Sequence, residues 1–474
     1  IVILSDVNQL AAVITEYGPL AHQEWHRLGG FESYYRGQHR APYTPETATR
    51  EFRELVHRST TNLTRLIVNT LTQRLIVDGF RSSQTSQENA PQWQWWQANG
   101  MDARQKALYD EVAKHGYAGV MVLPPNDGPA PVMRPVSPRE WWCAWDDWSD
   151  DWPILALKQP ARPTEPVDPQ AEDWELWHVL DERARYVVRT HGSQAVLESE
   201  DIHDLGHVPI VPYRNSWDLT RYPTGEIEPL VAIQDRLNQT VFDLLVAQTY
   251  SASPQKWATG MALPTGPDGK PVIEMRAWAK SLWLTSDENA KFGSLPEANL
   301  KNIVEAIEQA LRMYGLASQT PPHYLLGDLV NLSAEALLAA DTTLAKKVAD
   351  HQTILGEAHE QMFRLAGVAM GDEAAATDTA AQVRWRDTEP RSIAQQVDAL
   401  TKLAQMLDVP PQALWEKVPG TTGGDLSLWR AEAAKARLQA RVDGVQTAQG
   451  APNMNRQPGV PYGTPADRAA ANGR

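Results

Sequence analysis

Apolar side chains recur every three or four positions in the row Leu337, Ala340, Leu344, Val348, Leu355, Ala358, Met362 and Leu365, with His351 taking one place in it. That spacing predicts a single helix over 333–368, with Ser333 as its cap. At 1.5 Å per residue it would run about 54 Å, longer than a small domain is wide. The same period predicts a helix over 226–250 on Leu230, Ile233, Leu237, Val241 and Leu244. A third, over 298–315, carries Leu300, Ile303, Ile307, Leu311 and Tyr314 on one face. Nearer the N-terminus, helices are expected over 6–28 and 45–76. The second has Thr44 as N-cap, Pro45 at the first helical position and a stripe of Phe52, Leu55, Leu63, Leu66, Ile67 and Leu71. The stretch between them, "GGFESYYRGQH", reads as a Gly-flanked aromatic loop. A helix over 101–115 should stop at Gly116 and hand over to the strand "YAGVMVLP".

From there to about residue 213 the period shifts toward two, with candidate strands at "REWWCAWDDW", "WPILALKQ", "WELWHVL", "ARYVVRT" and "VPIVPYRN". Turn clusters such as "PPNDGPAP" separate them, so the region reads as mixed α/β or α+β rather than regular βαβ alternation. Residues 253–297 form a small β-prone module around "PTGPDGKP", balanced at five basic and five acidic side chains. "AQVRWRDTEP" returns to a strand, and Ser392 with Gln395 makes a capping box for a helix through Leu407. "VPPQALWEKVPG" is a short helix, and 426–443 a last one. The tail from 446 has little to bury and is expected to be disordered in isolation.

Composition narrows the function. A chain of 474 residues suggests about three domains, and 42% apolar residues suffice for large cores. The lone cysteine, Cys143, excludes an intrachain disulfide framework and fits a reducing cytosol. No apolar run of about 18 residues spans a bilayer, and the N-terminus has neither a basic flank nor a cleavage site, so a soluble chain is expected. A formal charge of −15 argues against tight, nonspecific gripping of nucleic acid.

Candidate chemistry is sparse. "GPDGKPV" has the wrong glycine spacing for a nucleotide-binding loop, and Pro271 stands where a hydroxyl would be needed. "HEQMF" at 359–363 lacks the second histidine of a zincin and reads as a surface helix turn. Asp146, Asp147, Asp150 and Asp151 in "WWCAWDDWSDDW" could hold a hard cation, but the glycine and terminal glutamate of a calcium loop are missing, so an acidic hairpin turn is the plainer reading. His351 is expected to be packed or hydrogen-bonded on its helix seam, and Cys143 to be a small core residue. No catalytic constellation, metal site or cofactor is expected, and hence no enzyme.

The order of these pieces resembles the portal proteins of long-tailed, siphovirus-type bacteriophages. "YYRGQHR", "NTLTQRLIVDGFR", "HVPIVPYRN", "GEIEPLVAIQDRLNQTVFDLLV", "PPHYLLGDLVNLSAEALLAAD" and "VRWRDTEPRSIAQQVDALTKL" look most like the portals of phages infecting actinobacteria. The resemblance spans most of residues 30–420. It implies an α+β, multi-domain portal fold: N-terminal helices and a mixed α/β wing (1–225), a stem helix (226–252), a small α/β clip (253–297), a returning stem helix (298–315), a tunnel loop (316–332), a kinked long wing helix (333–368), a wing strand and helices (369–420), a crown helix (421–445) and a tail (446–474). The N-terminus, which begins without methionine, is expected to be short of a full leading segment.

By the same resemblance the chain would form a ring, usually a dodecamer, at one capsid vertex, in the virion and, during assembly, in the host cytoplasm. Double-stranded DNA would pass through it. Its other partners would be the terminase large subunit, then the head-to-tail connector (adaptor), with major capsid and scaffolding protein alongside and no membrane. The tunnel loop implied at Pro321, Pro322, His323, Tyr324, Leu325, Leu326 and Gly327 would face the DNA. From the residues alone, 316–332 reads first as an ordinary helix connector with Tyr324, Leu325 and Leu326 packed on the stem. Trp257, Lys270, Arg276, Trp278 and Trp283 are candidate clip contacts, the tryptophans alternatively forming the clip's own core. Glu226, Glu228, Asp235, Asp243, Glu305 and Glu308 either line a repulsive channel, form a solvated outer face or make salt bridges between neighbouring subunits. The alternatives are a ring-shaped connector or minor capsid protein that does not translocate DNA and, further off, an enzyme domain on a scaffold.

Overall fold

The first helix does not stop at the glycine pair. In the computed structural model α1 spans Val7–Arg36, because its apolar face continues through buried Trp25, Leu28 and Phe31 past Gly29 and Gly30. The helix ends only where Gly37 takes a left-handed φ of 72° and its N–H reaches the carbonyls of Ser33 and Tyr34. "GGFESYYR" is therefore helical rather than a loop. The structure describes residues 4, 6–43, 50–84, 89–126, 128–147, 150–161, 174–192, 194–251, 256–260, 289–294, 300–321, 323–326, 334–386, 393–407, 409–418, 421 and 423–449. They fall into two units, 1–389 and 390–474.

The helix expected over 45–76 is two, α2 (Arg50–Ser59) and α3 (Thr64–Thr72), followed by a strand, β1 (Val77–Arg81). Thr60 and Thr61 are β-branched, and Asn62 competes for the backbone with its side chain. Asn62 Oδ1 accepts from Thr64 Oγ1 at 2.9 Å and from the Arg65 N–H at 3.4 Å, while the Thr61 N–H donates to Asn238 Oδ1 at 3.0 Å. Helices α4 (Trp93–Ala98) and α5 (Met101–His115) follow, and Gly116, at φ 93°, ends α5 where expected.

Next come β2 (Tyr117–Leu123), β3 (Val132–Val136), β4 (Trp141–Ala144), β5 (Leu155–Ala161), β6 (Glu175–Leu180), β7 (Ala184–His191), β8 (Gln194–Ile202) and β9 (Ile210–Arg214). Strands β4 to β8 form one antiparallel meander in chain order, and β2 lies between β3 and β9 in a second sheet. β8, "QAVLESEDI", is an exposed edge with no clean alternation, which is why periodicity misses it. Its register is visible only in pairing, as in the Arg185–Asp201 ion pair at 2.5 Å. One face of the meander packs on α1 through Trp142, Leu157, Trp177, Val179, Tyr186 and Val188, and the other meets the second sheet through Met121, Trp141, Ala156 and Ile210. The aspartates at 146, 147, 150 and 151 fall in the turn joining β4 to β5, where the Asp147 N–H donates to Asp150 Oδ2 at 3.0 Å. Burial pushes the Cys143 thiol up to about 12.

A 3-10 turn at Glu228–Leu230 leads into α6 (Val231–Ser251), then β10 (Lys256–Thr259) and β11 (Lys291–Ser294), which pair antiparallel. Helix α7 (Leu300–Ser318) packs against α6 and runs three residues past its expected end. The remainder of this unit is α8 (His323–Leu326), α9 (Ala334–Met370), α10 (Glu373–Ala376) and β12 (Gln382–Trp385), which closes on β1. In α9, Leu344, Val348, His351, Leu355, Ala358, Met362 and Leu365 are all buried, as the period requires. All but His351 lie in the largest core cluster among the described residues, with the seam of α5 and the inner faces of β2 and β9.

The "HEQMF" turn is not on the surface. His359 is fully buried, with Nε2 2.7 Å from the Tyr109 hydroxyl and Nδ1 2.9 Å from that of Tyr213. Its ring faces into the α5/β9 core because it follows the seam residue Ala358, an offset that a zincin-motif test does not register.

The second unit contains α11 (Ile393–Met406), α12 (Pro411–Leu414) and α13 (Gly423–Gln449). Its small core holds Leu414 and Leu426, with Trp415 edge-on to Trp429 at 6.1 Å. Helix α13 runs beyond residue 443, and the tail from 450 lies outside the described residues.

Candidate functional site

The segment between α7 and α9 is held at its base by a knot of polar contacts. Helix α7 ends as Gln319 turns left-handed (φ 56°) and the Thr320 N–H reaches back to the Gly315 carbonyl at 2.9 Å. Pro321 cannot continue the helix, and its carbonyl accepts the Tyr324 N–H at 3.1 Å, starting α8. The side chains of α8 turn back on the body. The Tyr324 hydroxyl accepts from Arg74 Nη2 at 2.8 Å, and Leu325 packs against the Ile67, Leu230 and Tyr314 cluster. Gly315 makes room for it, since a Cβ there would stand 3.1 Å from Leu325 Cδ1. Asp341 on α9 ties the group together, lying 3.4 Å from Arg74 and 3.5 Å from His323 Nε2.

Nearly two turns further along α9 a second set of charges closes the base. Lys347 donates to the Ser318 carbonyl at 2.9 Å, an orphan acceptor of the α7 C-terminus, and pairs with Glu226 at the root of α6. Asn215 donates its amide to the Thr224 carbonyl (3.0 Å) and to Glu226 Oε1 (3.2 Å), which turns its Oδ1 toward His351 Nε2 at 3.0 Å. His351 Nδ1 faces the Lys347 carbonyl at 2.8 Å. Both ring nitrogens thus meet oxygen atoms, and Nε2 also lies 3.6 Å from the Glu226 carboxylate. Burial penalises the Glu226 charge, but His351 and Lys347 outweigh it and hold the carboxyl down at about 2.

Other acidic residues of the expected stem are also engaged within the chain. Glu228 pairs with Arg27 at 3.0 Å, Asp235 accepts the Tyr34 hydroxyl at 2.7 Å, Asp243 accepts from Gln239 at 3.0 Å, and Glu305 lies 3.7 Å from Lys301. Glu308 is exposed.

The structure thus brings Pro321, His323, Tyr324 and Leu325 together at the loop base, and Leu326 ends the same short helix. Pro322 and Gly327 lie outside the described residues. So do Lys270, Arg276, Trp278 and Trp283. Trp257 on β10 is 41% exposed and lies opposite Gly293, where a Cβ would stand 2.5 Å from the indole. Arg74, Asp341, Lys347 and Asn215 were missed by sequence reasoning. The available signal was the run of charges at Asp341 and Lys347 flanking the α9 seam.

A separate cluster of Glu32, Glu111 and His115 has ligand-type atoms within 4.8 Å of one another. Lys114 already supplies its cation, 2.8 Å from Glu32 and paired with Glu111.

Residues 21–439 match the family described as phage portal protein, SPP1 Gp6-like. This chain belongs to that portal family. The portal proteins of Mycobacterium phages D29 and L5 are each 26% identical to it, over 78% and 79% of this chain and 77% and 78% of theirs. Among solved structures, a chain in the neck of a native gene transfer agent particle has a TM-score of 0.44 at 12% identity, covering 80% of this chain and 97% of that one. A chain in the virion of the native particle gives 0.42 at 12% identity, covering 83% of this chain and all of that one. A portal is a structural, non-enzymatic protein of the phage capsid vertex that serves DNA packaging.

Proposed function

We propose that copies of this chain close head to tail into a dodecameric ring through which double-stranded DNA enters and leaves the head. Helices α6 and α7 form the stem, residues 253–297 the clip, and residues 316–332 the tunnel loop. The observation that carries this reading is the anchored base of that loop. Arg74, Asp341, Lys347 and Glu226 fix the entry of a segment that itself contains no lysine or arginine, through Ser318, His323 and Tyr324. A loop facing a moving duplex needs a rigid root and a surface that does not grip phosphates.

His323, Tyr324 and Leu325 belong to the root in this arrangement. The clip docks the terminase large subunit during filling and the head-to-tail connector afterwards, with Trp257 at the contact. Capsid and scaffolding protein surround the wing during assembly in the host cytoplasm.

The test is native mass spectrometry of the purified protein with rotational averaging in the electron microscope. A closed ring with a central hole is expected, and a compact monomer or dimer that never closes would overturn the reading.

A further inference from the structure

Helix α6 is flanked on two sides at one level. Its Phe242 meets Phe52 of α2 edge-on at 5.1 Å, and its Asn238 and Gln239 side chains accept the N–H groups of Thr61 and Tyr43. On the α7 side, Arg236 Nη2 lies 3.3 Å from Met313 Sδ, and Ile233 packs on the Tyr314 cluster. At about 100° per residue these two sets fall on opposite faces of α6. The β10–β11 hairpin pairs antiparallel, so α7 runs back along α6 from the far end. Measured from the Arg236–Met313 contact, Phe242 stands about 9 Å along α6, and Glu308 and Glu305 stand about 7.5 and 12 Å along α7. Helix α2 and the two glutamates are therefore level with each other on opposite flanks of the α6–α7 pair.

The flanks carry opposite charge. Helix α2 turns Phe52, Val56 and Ser59 toward the body and leaves Arg50, Arg53 and His57 on one exposed stripe. Among the described residues none of these three has a carboxylate within ion-pair distance, whereas Arg58 pairs with Glu54 at 2.6 Å. On α7, Glu305 and Glu308 are exposed on the face away from buried Ala310 and Tyr314. Glu305 reaches Lys301 at 3.7 Å, a loose pair between two exposed side chains, and Glu308 has no described cation within that distance. Arg50 and Arg53 are three residues apart, as are Glu305 and Glu308, so each pair spans about 4.5 Å of helix rise. Lys301 and Arg312 bracket the glutamates, and a slip of one turn would set an arginine against a cation.

We propose that the Arg50, Arg53 and His57 stripe docks on Glu305 and Glu308 of the adjacent copy of this chain. A head-to-tail ring joins one flank of each subunit to the opposite flank of the next. With α6 and α7 as the stem along the ring axis, the two mating surfaces need equal height and opposite charge, and α2 and α7 meet both conditions. Val304, 42% exposed beside the glutamates, adds apolar area for the contact to cover. This contact rests on the ring reading above.

The test is charge exchange, read as the ring fraction by native mass spectrometry with melting of the unassembled chain as the folding control. Arg50→Glu with Arg53→Glu, and separately Glu305→Arg with Glu308→Arg, should each lower the ring fraction at least about tenfold while melting is unchanged, since like charges then face each other across the contact. Mixing the two double variants should restore rings in which they alternate, because each α7 then meets an α2 of opposite charge. Independently of charge, Arg53→Cys with Glu308→Cys and a short bismaleimide should join neighbouring copies into a ladder on a denaturing gel. A double variant that assembles like wild type, a mixture that stays unassembled, or wild-type-like rings that give no ladder overturns the contact and leaves the ring reading standing. A wild-type chain that stays monomeric at every concentration overturns both.

Discussion

Glu226 and Lys347 are each about one-tenth exposed, so neither charge is solvated well enough to stand alone. Glu226→Gln keeps the shape but strands the Lys347 ammonium against a neutral amide, and a loss of about 3–5 kcal/mol in a denaturant titration is expected. The carboxyl is held at about 2 against an ordinary 4.5. A depressed folded pKa means that its contribution is complete above pH 4.5 and is lost as pH falls toward 2. His359 acts in a different window. Burial lowers its pKa from 6.5 to about 3, so the native chain keeps the ring neutral while the unfolded chain takes up a proton. Its contribution is complete above pH 6.5 and declines below it by about 1.4 kcal/mol per pH unit. Melting curves between pH 6.5 and 4.5 should therefore fall less steeply for His359→Phe than for wild type. That variant should also be weaker at pH 8 by about 1–3 kcal/mol for each tyrosine hydroxyl left unsatisfied.

At the scale of elements, close approach rather than composition decides which glycines matter. Gly116 sits at φ 93°, and a Cβ on it would overlap the Pro223 carbonyl, which lies beside the α5 to β2 handover. Gly100 is also left-handed, at φ 60°, but nothing lies within 4 Å of the same point. Gly116→Ala should cost about 3 kcal/mol or more and Gly100→Ala about 1, so thermal melts should separate them clearly. The sequence marks Gly116 as a helix stop and cannot mark the carbonyl, because Pro223 is far away along the chain. The same division runs through the fold. Long periodic elements such as α6, α7 and α9 are legible because each shows one face to a core. The break between α2 and α3 is not, since it depends on Asn62 and Asn238 satisfying backbone groups across the chain. Edge strand β8 escapes because its neighbour, not its own pattern, sets it. In the loop base, Pro321 announces a break, but Tyr324 turning onto Arg74 is a contact 250 residues apart in sequence.

For the whole molecule, electrostatics sets how DNA can be met. The net charge of −15 repels a polyanion, and the segment 316–332 offers one histidine and one aspartate but no lysine or arginine. Each phosphate neutralised by a protein cation releases counterions and contributes about −0.9 to the slope of log affinity against log salt. A conduit that lets duplex slide should neutralise few phosphates, so the slope for the assembled protein is expected to be shallower than about −3 for the whole ring. Fluorescence anisotropy with a short labelled duplex between 50 and 200 mM salt measures it directly. Binding at 150 mM salt should be weaker than about 10 μM, within or beyond the nonspecific range. A steep slope with submicromolar affinity would mean that the protein clamps DNA. That requires a basic surface created only on assembly, with the acidic excess drawn into contacts between subunits. Repeating the titration on assembled and unassembled protein then separates the cases, since a surface made by assembly gives a steep slope in the ring alone, and a passive channel gives a shallow one in both.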